Sequence, residues 1–191
     1  MWEFLPLAFS SPECEQWIVY RPLHQPTVNA LVNDMRHGPQ RHLVPDKRCF
    51  QLLCDALTKK TQPASSPSQQ IVGIVADQRA KDPNTRVEVR FLEQRTYFPS
   101  GAARLHLYTP SATLLFATLL HNHDFYRSPV SPASTKPFRL HVRQISYQRP
   151  ESDESPQTEV AQVTQAYADL LQEVVLQHPE QYLWMHDLWK E

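Results

Sequence analysis

Gln70-Ile71-Val72-Gly73-Ile74-Val75-Ala76-Asp77-Gln78 is the stretch whose reading decides the fold. From Ile71 to Val75 the residues are apolar and mostly β-branched, with no polar alternation. That is the pattern of a strand buried on both faces, and it predicts an internal strand with helices on either side. The chain turns polar at once at Asp77-Gln78-Arg79. Ligand crevices of open α/β sheets lie outside the carboxyl ends of strands, so a carboxylate ending such a strand is a candidate site residue. An aspartate here would equally suit a turn or a cap.

Upstream of this strand, Thr61 to Gln69 is rich in Ser, Pro and Gln and reads as a surface loop. Before it, Phe50, Leu53, Cys54 and Leu57 form one face of a helix, with Lys59-Lys60 suited to its C-terminal dipole. His42 to Pro45 reads as a short strand, and so does Gln16 to Tyr20, which ends at Arg21-Pro22. Between those strands Pro26 suits a helix start. Val28, Leu31, Val32 and Met35 follow at helical spacing, placing Asn29, Asn33 and Arg36 on other faces. Met1 to Ala8 is abruptly apolar, as though the chain began inside a helix or packed turn.

Downstream, Val87-Glu88-Val89-Arg90-Phe91 alternates as a half-exposed strand should. Ser100 to Thr109 reads as a helix start, Ala112 to Leu120 as a buried strand, and Phe138 to Ile145 as another alternating strand. Glu151 to Gln157 is a polar break in which Ser155-Pro156 supplies an N-cap and a proline at the first helical position. A long helix follows, with Val160, Val163, Tyr167, Leu170, Leu171 and Val174 on one face, and His178-Pro179 ends it. The expectation is a single α/β domain over residues 1–191, with a mixed sheet flanked by helices and the helix from about Thr158 to Gln177 packed on one face.

Composition narrows the function classes. The 191 residues, 41% of them hydrophobic, suffice for one sizeable core but hardly for two full domains. Net charge is −1 with both signs scattered, so nucleic acid is not an expected partner. Three glycines leave no material for a phosphate-cradling loop or a dinucleotide fingerprint. Cys14, Cys49 and Cys54 make an odd set without CxxC spacing, which predicts neither a disulfide framework nor a zinc knuckle. The longest apolar run is far short of a membrane span, while peripheral attachment needs none.

Motifs that could carry chemistry are few. His121-Asn122-His123-Asp124 places alternate residues on one face of a strand, but no second ligand motif supports a metal site, and none is expected. Ser100-Gly101 lacks the preceding glycine of a nucleophile elbow. Tyr182, Leu183, Trp184, Leu188 and Trp189 read as helix-packing core. Arg21 and Arg36, each near the end of an early element, would by themselves be solvent-facing charges.

A resemblance gives these residues a context. The ending His178-Pro179-Glu180-Gln181-Tyr182-Leu183-Trp184-Met185-His186-Asp187-Leu188-Trp189-Lys190 resembles the C-terminus of the bacterial lipid A biosynthesis acyltransferases, the lauroyl and myristoyl transferases of the lysophospholipid-acyltransferase-like superfamily. Trp2-Glu3 is similar to the end of that family's His-x4-Glu/Asp motif, Val19-Tyr20-Arg21-Pro22-Leu23 to its next strand, and Gly73 to Gln78 to its central strand. Phe98-Pro99-Ser100-Gly101-Ala102-Ala103-Arg104-Leu105 is similar to a helix start of its phosphatidylinositol mannoside acyltransferase branch.

The resemblance implies a glycerolipid-acyltransferase-like fold. It implies transfer of an acyl group from acyl carrier protein or acyl-coenzyme A to a hydroxyl of a membrane glycolipid such as a lipid A precursor. The location implied is the cytoplasmic face of the inner membrane, with no cofactor. Glu3, Arg36 and Asp77 match catalytic positions and would share one cleft, and Arg21 matches a substrate-binding position. The family histidine is the general base, and its acidic partner orients the imidazole.

Departures from the pattern also carry expectations. The motif histidine would stand five residues before Glu3, ahead of Met1, together with the membrane-anchoring segment, so the chain reads as N-terminally truncated and impaired in catalysis. Leu92-Glu93-Gln94 stands where the family often has a Phe-Gly pair, and Asp187-Leu188 replaces a common basic pair. The alternative to an enzyme is a noncatalytic remnant that binds a lipid or a protein partner.

Overall fold

The computed structural model describes residues 5–58, 69–78, 80–122, 136–147, 155–185 and 188–189. Glu3, Lys59-Lys60, most of the Ser/Pro/Gln loop, Arg79, His123, Asp124, most of the polar break and Asp187 lie outside them. The class is α/β, as expected, with a parallel sheet, antiparallel pairs and flanking helices. The chain divides into two compact units. One contains the described residues within Pro6–Ala76 and Gly101–Thr113, and the other contains Leu5 and the described residues within Asp77–Ser100 and Leu114–Glu191.

The first unit is built on three parallel strands, β1 (Cys14–Tyr20), β2 (Arg41–Pro45) and β3 (Gln69–Gly73), in the order β2-β1-β3. Gln16 to Tyr20 run beside Arg41 to Pro45, and Cys14 to Ile18 beside Gln69 to Gly73. A short helix α1 (Leu5–Ala8) precedes β1, α2 (Pro26–Arg36) joins β1 to β2, and α3 (Phe50–Thr58) follows β2. A further helix, α4 (Gly101–Tyr108), packs beside α3. Trp17, Val44, Leu53, Ala56 and Leu105 form the core, with Val19, Leu57, Val72 and Ile74 against it.

The expected internal strand is corrected here. Among the described residues β3 is an edge of the three-stranded sheet, ends at Gly73 rather than Val75, and is only half-buried beyond Gln69. The centre belongs to β1, where Cys14, Gln16, Trp17 and Ile18 are buried. Polar residues tolerate that position because each has a partner. Gln16 donates to the Pro6 carbonyl at 3.0 Å and accepts from Arg41 Nε at 3.2 Å. Glu15 takes the Gln70 amide at 2.6 Å and meets His42 at 2.7 Å. Gly73 lies close against its neighbour, since a Cβ there would stand 3.2 Å from Ile18 Cδ1.

The helix α2 also departs from ordinary amphipathic logic. Asn29, Val32, Asn33 and Arg36 are its half-buried side, while Val28, Leu31 and Met35 face solvent. No residue of α2 is buried.

The second unit contains two antiparallel pairs, β4 (Arg86–Phe91) with β5 (Gln94–Pro99) and β6 (Leu115–His121) with β7 (Phe138–Gln144). The long helix α5 (Pro156–Gln177) packs on β4 and touches β6. Phe91, Phe98, Phe116, Ala168, Leu171, Val174, Val175 and Leu188 make its core. The helical stripe behaves as expected at Val160, Val163, Leu171 and Val174 and ends at His178. Ser155 does occupy the N-cap position, but its hydroxyl meets Thr158 Oγ1 rather than a backbone amide.

Two strand expectations need adjustment. The one from Ala112 begins only at Leu115, because the Ala112 carbonyl is held by His106 Nδ1 at 3.0 Å, and its residues are largely half-buried. On β7 most side chains face solvent, and Ile145, just beyond it, supplies the buried contact.

Glutamine side chains bind α5 and the following 3-10 turn to strand backbone. Gln165 accepts from Arg90 N at 2.8 Å and donates to Arg90 O at 2.9 Å, as a neighbouring strand would. Gln181 does the same for His121, at 2.6 and 3.1 Å. Gln172 accepts from Leu92 N at 2.6 Å, beside a two-residue turn in which Leu92 and Glu93 have φ of 51° and 66°. Tight hairpins favour left-handed residues there, usually Asn and Gly, so two ordinary residues are held in conformations that cost energy.

Candidate functional site

In the parallel unit the strand order makes β1 the point where successive connections leave in opposite directions. Crevices at such switch points, outside strand carboxyl ends, are where α/β sheets bind ligands. Arg21 follows β1 directly, and Asp46 follows β2 directly. Because Tyr20 pairs in register with Pro45, these two residues come together, and Arg21 Nε donates to Asp46 Oδ2 at 3.1 Å. The Arg21 side chain remains 88% exposed, so its guanidinium is accessible to an anion despite the pairing. The other carboxylate oxygen, Asp46 Oδ1, is buried without a hydrogen-bond partner.

The half-buried side of α2 faces the same strand end. Asn33 Nδ2 donates to the Tyr20 hydroxyl at 3.0 Å, while Asn33 Oδ1 is buried and unpartnered. The Arg36 guanidinium lies over the Tyr20 ring at 5.6 Å, a distance at which the cation is attracted to the ring face. Arg41 fixes the helix end, donating through Nη1 to the Arg36 carbonyl at 3.0 Å and through Nη2 to Ser10 Oγ at 3.1 Å. Of the residues that the family resemblance singled out for a site, Arg21 and Arg36 lie at this strand end. Tyr20, Asn33 and Asp46 were missed, although Asp46 carries the same signal as Arg21, a charge directly after a strand.

Asp77 belongs to the second unit, four residues past the end of β3. Its carboxylate Oδ1 is buried with no hydrogen-bond partner, and the Tyr182 hydroxyl donates to its backbone carbonyl at 3.4 Å. Burial, then the Asp77 charge, pushes the Tyr182 phenol well up, and the same two causes act on half-buried Tyr167. Both phenols therefore stay protonated at neutral pH. A buried acceptor oxygen without a partner requires explanation, and a ligand donor is one.

Other candidates resolve into structure. His42 and Glu15 have the distance of an orienting pair, and His42 stacks on Trp17 at 4.2 Å, but both lie near the amino ends of their strands. Ser100 is buried and donates to the Thr85 carbonyl at 3.1 Å. Among the described residues no group of three His, Cys, Asp or Glu could hold a metal, and His121 is occupied by backbone pairing to Gln181 and by an edge contact with Phe138. The three cysteines are free, with burial raising each thiol. Of the C-terminal aromatic cluster, Leu188 is buried and Tyr182 and Trp189 half-buried, whereas Leu183 and Trp184 are exposed.

Fold and site together describe an α/β protein with cationic side chains at the carboxyl end of a parallel sheet, an arrangement suited to an anionic ligand group. Residues 13–191 match the family described as bacterial lipid A biosynthesis acyltransferase, and the chain belongs to that family. It is accordingly an acyltransferase, and membership implies an acyl donor and a lipid acceptor. No individual curated protein matches the chain. Among the described residues no helix is long and apolar enough to cross a membrane.

Proposed function

We propose that the chain transfers a fatty acyl group from an acyl thioester, on acyl carrier protein or coenzyme A, to a hydroxyl of a membrane glycolipid such as a lipid A precursor. Its place would be the cytoplasmic face of the bacterial inner membrane, held peripherally. The observation that carries this reading is the family match across residues 13–191. In the reaction the acceptor oxygen attacks the thioester carbonyl as its proton is taken, and the tetrahedral intermediate collapses with release of the thiol. The chain's own contribution is positioning and charge. Arg21, exposed at the end of β1, would bind an acceptor phosphate. Arg36, Asp77 and Glu3 are the proposed catalytic residues, with Arg36 balancing negative charge and Asp77 accepting a hydrogen bond through its unpartnered oxygen.

The acidic residue of a base pair works through its imidazole. A form extended upstream with a histidine five residues before Glu3 is proposed to be faster than the 191-residue chain by about 10²- to 10⁴-fold, the usual contribution of a positioned general base. The test is acyl transfer to a detergent-dispersed lipid A precursor from each thioester donor. Arg36→Ala and Asp77→Asn should both slow it at least about tenfold in the faster form. Absence of transfer from either donor in both forms would overturn the reading, as would wild-type rates in both variants.

A further inference from the structure

Helix α2 is oriented with its polar side inward. Asn29 Oδ1 accepts from Leu23 N at 2.9 Å and Asn33 bonds Tyr20, so hydrogen bonds hold the inward side, where half-buried Val32 is the one apolar residue of the helix. The opposite side carries Val28, Leu31 and Met35 at 41, 63 and 77% exposure, and the pinned loop adds Leu23 at 45%. Residues three and seven apart share one helix face, so the three helical side chains form a single stripe. A water-soluble surface gains nothing from this arrangement, since the same residues rotated inward would remove apolar area from water.

Charge identifies what covers the stripe. The chain as a whole is net −1, yet between Tyr20 and Arg48 it carries Arg21, Arg36, Arg41, Lys47 and Arg48 against only Asp34 and Asp46. Three of these cations are exposed, Arg21 two residues before Leu23 and Lys47 with Arg48 just after the Asp46 that bonds Arg21, against exposed Asp34 on α2 itself. An apolar stripe in such a cation-rich segment matches an anionic lipid surface, where the acyl boundary takes the apolar side chains and the head groups take the charges. A second copy of the chain fits less well, because a standard protein interface uses roughly 20–30 residues a side and like-charged rims would face each other. We propose that the outward face of α2, with Leu23, docks on an anionic membrane surface, which deepens the reading of a membrane-borne acceptor and rests on it.

The test uses the full chain and sucrose-loaded vesicles of phosphatidylethanolamine with phosphatidylglycerol, compared with vesicles of phosphatidylcholine alone. Wild type is expected to sediment with the anionic vesicles and to bind the neutral ones at least about tenfold more weakly. Leu31→Gln with Met35→Gln should lower binding to anionic vesicles at least about tenfold. Leu176→Gln, at an equally exposed position on α5, should leave binding unchanged. Circular dichroism confirms folding, and sedimentation equilibrium reads self-association. Transfer to a detergent-dispersed acceptor separates the two proposals: the double variant should keep wild-type transfer if α2 serves only docking, and failure of transfer in every form would sink the acceptor assignment while the vesicle result stands. The docking proposal is overturned if wild type ignores anionic vesicles, if the double variant binds as wild type, if Leu176→Gln weakens binding as much, or if the double variant dissociates a dimer without changing vesicle binding.

Discussion

Replacing Asp77 by Asn separates a catalytic from a structural carboxylate. Asp77 Oδ1 is buried without a partner, and the hydrogen bond that holds the residue, from the Tyr182 hydroxyl, goes to its backbone carbonyl. The substitution keeps that bond and the side-chain shape while removing a charge that disfavours ionisation of Tyr167 and Tyr182. An unsatisfied buried polar group costs about 1–3 kcal/mol. Partial relief of that cost predicts stability unchanged or raised by up to about 2 kcal/mol, equivalent to a Tm rise of up to roughly 4–8 °C for a chain of this size. Acyl transfer, by contrast, should fall at least about tenfold in kcat/KM. Urea unfolding and the thioester assay read the two quantities independently. A loss of more than about 1 kcal/mol would show that the carboxylate is structurally partnered. Unchanged transfer would remove Asp77 from the site.

Four further outcomes follow from named contacts. Gln181→Leu should destabilise by about 1–3 kcal/mol and Gln165→Leu by less, since His121 is half-buried whereas Arg90 is exposed to water that can replace the amide; urea midpoints check the order. Glu93→Gly should stabilise by about 1 kcal/mol by relieving a φ of 66°, read from the thermal midpoint. Arg36→Lys keeps the charge but loses the planar cation over Tyr20, so transfer should fall less than in Arg36→Ala, as steady-state kinetics will show. Tyr167 and Tyr182 are raised above the ordinary phenol value of 10.0, so at high pH the unfolded chain releases protons that the folded chain holds. Stability is therefore at its full value below pH 10 as far as these groups act, and falls as pH rises above it. Tyr167→Phe with Tyr182→Phe should flatten that fall in a pH series of urea melts.

Local pattern located most elements but not their ranks in the sheet. The apolar run at Ile71 to Val75 looked more central than Cys14 to Tyr20, because Glu15 and Gln16 break the latter's apolar character. Centrality is decided by partners elsewhere in the chain. Arg41 and the Pro6 carbonyl satisfy Gln16, and His42 and Gln70 satisfy Glu15, across separations that no local window covers. Once these bonds exist, burying β1 costs little, and its aromatic and aliphatic residues take the core.

The same distinction governs the site. Arg21 and Arg36 are visible as charges at element ends, while Asp46 and Asn33 acquire meaning only through contacts 25 and 13 residues away. Periodicity showed that α2 has an apolar side and a polar side, and it is silent on which faces inward. In a helix that merely closes a core, the apolar side turns in because burial there is worth about 25 cal/mol per Å². Here Asn29, Asn33 and Arg36 turn in toward the end of β1, and Leu31 and Met35 turn out. Such an inversion needs polar partners inside: Leu23 N meets Asn29 Oδ1 and the Tyr20 hydroxyl accepts from Asn33 Nδ2, while Asn33 Oδ1 is left without a partner. An inverted helix beside a strand carboxyl end thus supports the proposed site more specifically than either arginine does alone.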